Sequence, residues 1–392
     1  MRGSVVKKDN RWYVVIEDRE PGTGKRKRRW HSGYRTKREA QAACNELVTA
    51  MQRGEYLAPN KQTVGAFVDE WLETIRATVR PATLDKYTRD LRAHVVPHLG
   101  HLPLARLDGP ALNRLWTTLA ESGRQSRRPG GEPEGLSPKS IQNVAMTVHR
   151  LLKDAVRWGK ITRNPADMAD PPKRSANQRE IQAWNAETLR TFLQLTKDDA
   201  LHVLWVVLAT TGLRRGEALG LRWHDVDLDT ARARVTQTVT AIGWEVHYGQ
   251  PKTAAGRRPV ALDPATVALL REHRRRMLEQ RLLVGDGFVD QGLVFCQPDG
   301  SPLHPERVYQ AFKRALRRHD LQTIALHGLR HTWATIALER GVHPRVVQER
   351  LGHANIAVTL QTYSHVMPTM HEDAAALVAD TILGPPSSLW KF

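Results

Sequence analysis

The sequence predicts a mainly α chain with small β-sheets, an α+β architecture in three parts. Three observations lead there. Short alternating strands fill the first 35 residues, and apolar residues then recur at helical spacing from about 63 to 158. A second group of strands, between 232 and 262, is embedded in further helical segments. At 392 residues the chain has room for two to three domains, each able to bury its own core.

Residues 1–57 read as three strands and a helix. Ser4 to Lys7, Arg11 to Glu17 and Lys27 to Gly33 alternate, with Asp9-Asn10 as the first turn and Pro21 to Gly24 as the second. Thr36 can cap a helix from Lys37 to about Met51, with Ala40, Ala43, Leu47 and Met51 inward. The first 60 residues carry 14 basic and 7 acidic side chains, a net +7. Lys25, Arg26, Lys27, Arg28 and Arg29 run up to Trp30. Such a run either protects an edge strand by charge or lays a sheet into a DNA groove.

Residues 63–163 read as a helical bundle. Thr63 caps a helix with Phe67, Trp71, Leu72 and Ile75 on one stripe. Pro81 starts the next, and Leu107 to Ala120 and Ser137 to Trp158 complete the set. Between the last two, Gly123 to Gly135 is polar and rich in glycine and proline, a flexible loop. Arg80, Lys86, Lys139 and Arg150 are the candidate phosphate contacts. Residues 164–180 read as a linker extended by its prolines.

The formal charge of +18, from 59 basic against 41 acidic residues, points to a polyanion, of which nucleic acid is the commonest. No apolar run approaches the roughly 20 residues that span a membrane, and the N-terminus lacks the apolar core of a signal peptide. Only Cys44 and Cys296 occur, which excludes a disulfide framework and fits a reducing cytoplasm.

Chemistry concentrates in residues 181–383. In LHGLRHTWATIALERG, His327 and Arg330 stand three apart on one helix face, with Trp333, Ile336, Ala337 and Leu338 toward the core and Gly341 closing the helix. A second amphipathic segment, His343 to Leu351, turns Val346, Val347 and Leu351 inward and stops at Gly352, leaving His353 at the lip. Tyr363 follows ten residues later. Upstream, Leu201 to Thr210 is nearly all apolar; Gly212 breaks that helix, Arg214 emerges from the turn and Glu217 opens the next. Arg232 to Ala241, Trp244 to Tyr248 and Arg258 to Leu262 read as one antiparallel sheet, with Lys252 in the last turn. Guanidinium groups pair bidentately with phosphate, so the arginines suit a phosphate clamp. His327 and His331, at i and i+4, have the spacing of half a zinc site, but no third ligand lies at metal-site spacing. Asp225, Asp227 and Asp229 alternate in HDVDLD as in a turn rather than a metal-binding carboxylate cluster.

TGLRRGEALGLRW, PKTAAGRRPVAL, LHGLRHTWAT and LGHANIAVTLQTYSHV, in this order and at these spacings, resemble the tyrosine recombinases of the phage and mobile-element integrase type. The resemblance covers roughly residues 180–383. It implies a catalytic set of Arg214, Lys252, His327, Arg330 and His353, with Tyr363 as nucleophile and Glu217 supporting the first arginine. It further implies no cofactor or metal, and double-stranded DNA as partner, contacted at core sites by residues 63–163 and at arm sites by residues 1–57. The protein then acts as a homotetramer through a C-terminal helix, Thr369 to Leu383, ahead of the tail 384–392. It passes through a Holliday junction, with an excisionase or DNA-bending protein as a further partner and the bacterial nucleoid as its location. Three other classes remain: a type IB topoisomerase, a DNA-binding regulator without catalysis, and a metal-dependent nuclease or transposase.

Overall fold

The computed structural model describes residues 2–19, 26–52, 61–124, 134–173, 182–251, 253–363, 375 and 378–383. It divides into two compact units, Met1–Asn177 and Gln178–Phe392.

In the first unit β1 (Arg2–Lys8), β2 (Arg11–Arg19) and β3 (Arg26–Tyr34) form an antiparallel sheet in that order. Asp9 and Asn10 both take positive φ, 47° and 62°, the twist that a two-residue hairpin needs. Helix α1 (Lys37–Gln52) starts at a reciprocal cap: Thr36 Oγ1 accepts from the Glu39 N–H at 3.2 Å, and Glu39 accepts from the Thr36 N–H at 3.3 Å. One sheet face, with Val14 and Ile16, packs on Ala40 and Cys44 of α1. Of the inward positions expected, Ala43 and Leu47 are only partly covered, the Met51 side chain lies outside those described, and Cys44 takes a core place.

The bundle comprises α2 (Val64–Ile75), α3 (Pro81–His94), α4 (Val96–Leu99), α5 (Gly109–Ser122) and α6 (Pro138–Arg157). Side chains of Thr63, Asp108 and Ser137 cap α2, α5 and α6. Phe67, Trp71, Leu91, Leu112 and Leu152 are fully buried between the helices. Trp71 donates its indole N–H to Asp154 at 2.9 Å, so one carboxylate is fixed inside the core. Most of the expected flexible loop, residues 125–133, lies outside the described residues; at its ends Arg124 pairs with Glu134.

The expected linker departs from an extended chain at its start. Asn164 caps a short 3-10 turn, Pro165–Met168, that lies against α5 and α6. The Asp170 N–H donates to Asn113 at 2.7 Å, and Gln142 donates to the Pro172 carbonyl at 2.9 Å. Proline here stiffens a strap docked on the bundle. Residues 174–180 lie outside the described residues.

In the second unit α7 (Ala186–Leu195), α8 (His202–Thr211) and α9 (Arg215–Leu219) precede the strands. α8 is buried nearly throughout, as its apolar sequence predicts, and Trp184, Phe192, Trp205 and Phe312 interlock around it. The single sheet expected is two. β4 (Val226–Asp227), β5 (Arg232–Arg234) and β8 (Pro259–Ala261) form one, while β6 (Thr238–Ile242) and β7 (Glu245–Gly249) form a separate hairpin. The break falls at 235–237, where side chains bond away from the ladder: Thr236 donates to Asp225 at 2.8 Å and Gln237 to the Gly220 carbonyl at 2.9 Å. Asp227 accepts from the N–H groups of Asp229 and Thr230, the turn that HDVDLD suggests.

Then come α10 (Pro264–Val284), α11 (Pro305–Arg318), α12 (Gly328–Glu339), α13 (Pro344–Leu351) and α14 (Ile356–Tyr363). Val347 and Leu351 of α13 face inward, but Val346 is half exposed, because the buried stripe continues through Gln348 instead. On α12 the deepest apolar positions are Leu329, Ala334 and Leu338; Trp333 is partly covered, under the Arg350 guanidinium.

Candidate active site

Two left-handed turns build the site. Gly212 ends α8 at φ 67°, and Gly352 ends α13 at φ 64°. A side chain at Gly212 would strike Leu351, and one at Gly352 would strike the Ala255 carbonyl and the Arg258 guanidinium. Both turns therefore need glycine on two counts, conformation and space.

Arg214 follows the first turn as N-cap of α9. Its backbone N–H donates to Glu217 at 3.0 Å, and its guanidinium donates to the same carboxylate at 2.7 Å. Glu217 is 3% exposed and also receives Arg258 at 3.0 Å. Burial alone would raise the Glu217 pKa; the bonds and charge of Arg258 and then Arg214 outweigh it and hold the carboxyl below its usual range. Arg258 further donates its Nε–H to the Arg350 carbonyl at 2.5 Å.

Arg330 is 2% exposed, in the first turn of α12. It donates to the carbonyls of Gly212 at 2.9 Å and Leu351 at 2.6 Å, pinning both glycine turns to one guanidinium. Burial, then the neighbouring Arg214 charge, pushes its pKa down to about 9. Among the described residues it makes no salt bridge, and Glu217 only partly offsets these effects.

His327 is the N-cap of α12 and keeps solvent access, while His353 follows Gly352 and is half-buried. Desolvation lowers both imidazoles first, and neighbours that disfavour a further proton add to the effect: His331 and Arg330 beside His327, Arg330 and Arg214 beside His353. Both imidazoles are pressed to about 4. They are neutral at pH 7, and His353 Nδ1 is 2.9 Å from the Thr359 hydroxyl.

The proton balance gives a pH prediction. An unfolded imidazole titrates near 6.5, so between pH 6.5 and 4 the unfolded chain binds more protons than the folded one. The stability from these two neutral histidines is complete above pH 6.5 and is lost as pH falls toward 4. Urea midpoints should therefore drop from pH 7 to pH 5, and duplex DNA, whose phosphates favour imidazolium, should flatten that slope. Equal slopes with and without DNA would show that bound DNA does not reach these rings.

Tyr363 ends α14 and is 1% exposed, packed with Ala334, Leu338, Val347 and Leu351. Its hydroxyl meets His331 Nδ1 at 2.9 Å, and the His331 ring stands edge-on to His327 with centroids 4.9 Å apart. Burial raises the phenol pKa to about 12. One nitrogen of this histidine pair, His331 Nδ1, faces the tyrosine. Among the described residues no group of three or more His, Cys, Asp or Glu side chains is arranged to hold a metal.

The structure thus brings Arg214, Glu217, His327, Arg330 and His353 around two glycine turns, with Tyr363 withdrawn beside them. Lys252 lies outside the described residues. Arg258 and His331 are additions. Arg258 stands inside PKTAAGRR, where the second of two arginines had no distinguishing mark. For His331 the signal was its place directly after Arg330.

The DNA-contact candidates lie on the first unit. Lys25 is outside the described residues, as are the side chains of Arg26, Lys27 and Arg29. Arg28 and Trp30 are exposed on the sheet face away from α1, Arg28 against Glu17 at 2.5 Å and Trp30 edge-on to Tyr13. Arg80 and Lys139 are exposed at the starts of α3 and α6. Lys86 is held by Asp90 at 2.5 Å and Arg150 by Asp154 at 3.1 Å, so each reaches a phosphate only by leaving a carboxylate.

The phage integrase family matches residues 181–370, an arm DNA-binding domain matches 4–51, and a phage integrase N-terminal SAM-like domain matches 63–115. A tyrosine recombinase XerC-like protein of Caldanaerobacter subterraneus subsp. tengcongensis is 27% identical over 368 residues, 89% of this chain and 91% of the relative. The Tn1549 transposon integrase, solved with a circular intermediate DNA, superposes with a TM-score of 0.62 at 21% identity, over 77% of this chain and 95% of that one. A lambda integrase tetramer bound to a Holliday junction gives 0.55 at 17%, over 90% and 95%. These structural likenesses show the fold.

Proposed function

Because the chain belongs to the phage integrase family of tyrosine recombinases, we propose that it integrates and excises a mobile element by cutting and rejoining DNA at specific sites. The observation that carries this reading is electrostatic. Arg214, Arg258 and Arg330 surround a single carboxylate, Glu217, beside two neutral imidazoles, a surplus of positive charge that one phosphodiester would satisfy.

Arg214 and Arg330 hold the non-bridging oxygens, and His353 donates a hydrogen bond to the same phosphate. The Tyr363 oxygen attacks phosphorus, its proton passing to His327 as base or shuttle. The bond from phosphorus to the 5′ oxygen breaks, and Lys252 protonates that oxygen. A 3′-phosphotyrosine and a free 5′-hydroxyl result. The ester keeps the bond energy, so a 5′-hydroxyl from a second DNA can attack it and release Tyr363.

Residues 1–57 and 63–163 supply arm and core contacts, with Arg28 and Trp30 on an open sheet face and Arg80 and Lys139 at helix starts. Copies join through the C-terminal helix into a tetramer that passes through a Holliday junction. In residues 378–383, helical where described, Val378, Ile382 and Leu383 are exposed. A groove of about 460 Å3 lined by Leu189, Leu193, Val206 and Ile336, with Arg190 and Lys197 among its lining, offers a matching apolar seat on another copy. An excisionase or bending protein completes the machinery in the element's direction control.

The test is a labelled, nicked DNA carrying the attachment core, incubated in EDTA with wild type and Tyr363→Phe. An SDS-resistant protein–DNA band is expected from wild type and should be absent from the variant. The band surviving in Tyr363→Phe would remove Tyr363 as nucleophile, and its loss to EDTA would favour a metal-dependent nuclease.

A further inference from the structure

The hydroxyl assigned as nucleophile is enclosed where no phosphate can reach it. Tyr363 is 1% exposed, its ring sits among Ala334, Leu338, Val347 and Leu351, and its hydroxyl is turned onto His331 Nδ1 at 2.9 Å. α14 is moored a second time through the buried Thr359, whose hydroxyl meets His353 Nδ1 at 2.9 Å. A helix of 8 residues is thus tied at both its middle and its end to imidazoles bordering the arginine cluster.

We propose that His331 is a positioning residue that holds Tyr363 withdrawn in the DNA-free protein, so that attack requires this contact to open. The idea rests on Tyr363 being the nucleophile. A neutral imidazole accepts the phenol's hydrogen at Nδ1, and the apolar ring pocket excludes the water that would compete for it. Burial and the adjacent Arg330 charge keep His331 in that neutral form. Opening moves the tyrosine oxygen from a site where it resists deprotonation toward one bordered by guanidinium groups, which favour the phenolate.

His331→Leu keeps bulk but removes the acceptor, whereas His331→Asn places an amide oxygen near the position of Nδ1. Two measurements read the contact. One is nitration of Tyr363 by tetranitromethane in the DNA-free protein, mapped by peptide mass. The other is the single-turnover rate of covalent attachment to a half-site DNA at saturating protein.

His331→Leu should expose Tyr363 to nitration and raise the attachment rate roughly 3- to 10-fold, the equivalent of one modest hydrogen bond. DNA affinity should stay unchanged, and His331→Asn should behave as wild type in both assays. Unchanged protection in His331→Leu, or slower attachment with protection intact, would overturn the proposal. Should His331→Leu fail to fold, amide exchange across 356–363 in Tyr363→Phe serves instead: faster exchange is expected, and an unchanged rate defeats the idea. If wild type forms no adduct, the nucleophile assignment fails, while nitration still reports whether His331 shields the ring.

Discussion

Arg330→Ala should lower covalent attachment to attachment-site DNA by about 10²- to 10³-fold, the range seen when one preorganised oxyanion donor is removed. Duplex affinity should change by less than about threefold, because most binding comes from many phosphate contacts spread over the protein. The asymmetry follows from where Arg330 sits. It is buried and its charge has no carboxylate of its own, so its value appears when negative charge builds on the phosphate. The same side chain links Gly212 and Leu351, so the alanine variant also loosens both glycine turns, and rates must be compared well below its melting temperature. Arg330→Lys retains the charge but loses the two-pronged geometry, and should recover stability more than rate. Equal losses of binding and cleavage in Arg330→Ala would make this residue a DNA anchor only.

The second large effect concerns a residue that never touches DNA in the proposed scheme. Glu217→Ala should destabilise the protein by about 3–5 kcal/mol, the cost of leaving a buried ion-pair partner alone. Arg258 has a side chain only 7% exposed and would lose its carboxylate, while Arg214 would lose both its orienting bonds. Urea denaturation of the full chain at pH 7 measures the loss. Inorganic phosphate should restore part of it, since an anion in the cluster replaces the missing charge. A loss below about 1 kcal/mol would place Glu217 among ordinary surface ion pairs and void the argument.

Much of the site was legible because its parts are local. Gly212 before Arg214, the three-residue step from His327 to Arg330, and Gly352 before His353 each encode a turn or a helix face, and each reappears as a geometry. Glu217, which the sequence places at the opening of the next helix three residues after Arg214, accepts from the N–H of that helix's N-cap. The pairing of Arg258 with Glu217 was not readable, because 41 residues separate them and only the folded sheet brings them together. Nor was the withdrawal of Tyr363, which depends on the α12–α13 surface beneath it. Asp90 and Asp154 stand four residues beyond Lys86 and Arg150, the spacing of a helical ion pair, and the sequence alone warned that these cations have partners. The division of the strands into two sheets turned on Thr236 and Gln237 bonding sideways, which alternation cannot reveal.

The clamp at Arg258 also bears on how the second unit folds. Its bonds close stretches of 41 residues to Glu217 and 92 to Arg350, and Arg214 reaches across 138 to the Gly352 carbonyl. Each closure must be made against chain entropy before it returns any stabilisation. No short segment can therefore hold a partial version of the arginine cluster, and a nascent chain carries the separate motifs without the assembled charge until α13 has been synthesised and docked. The cluster is complete only once residues as far apart as 214 and 352 have come together.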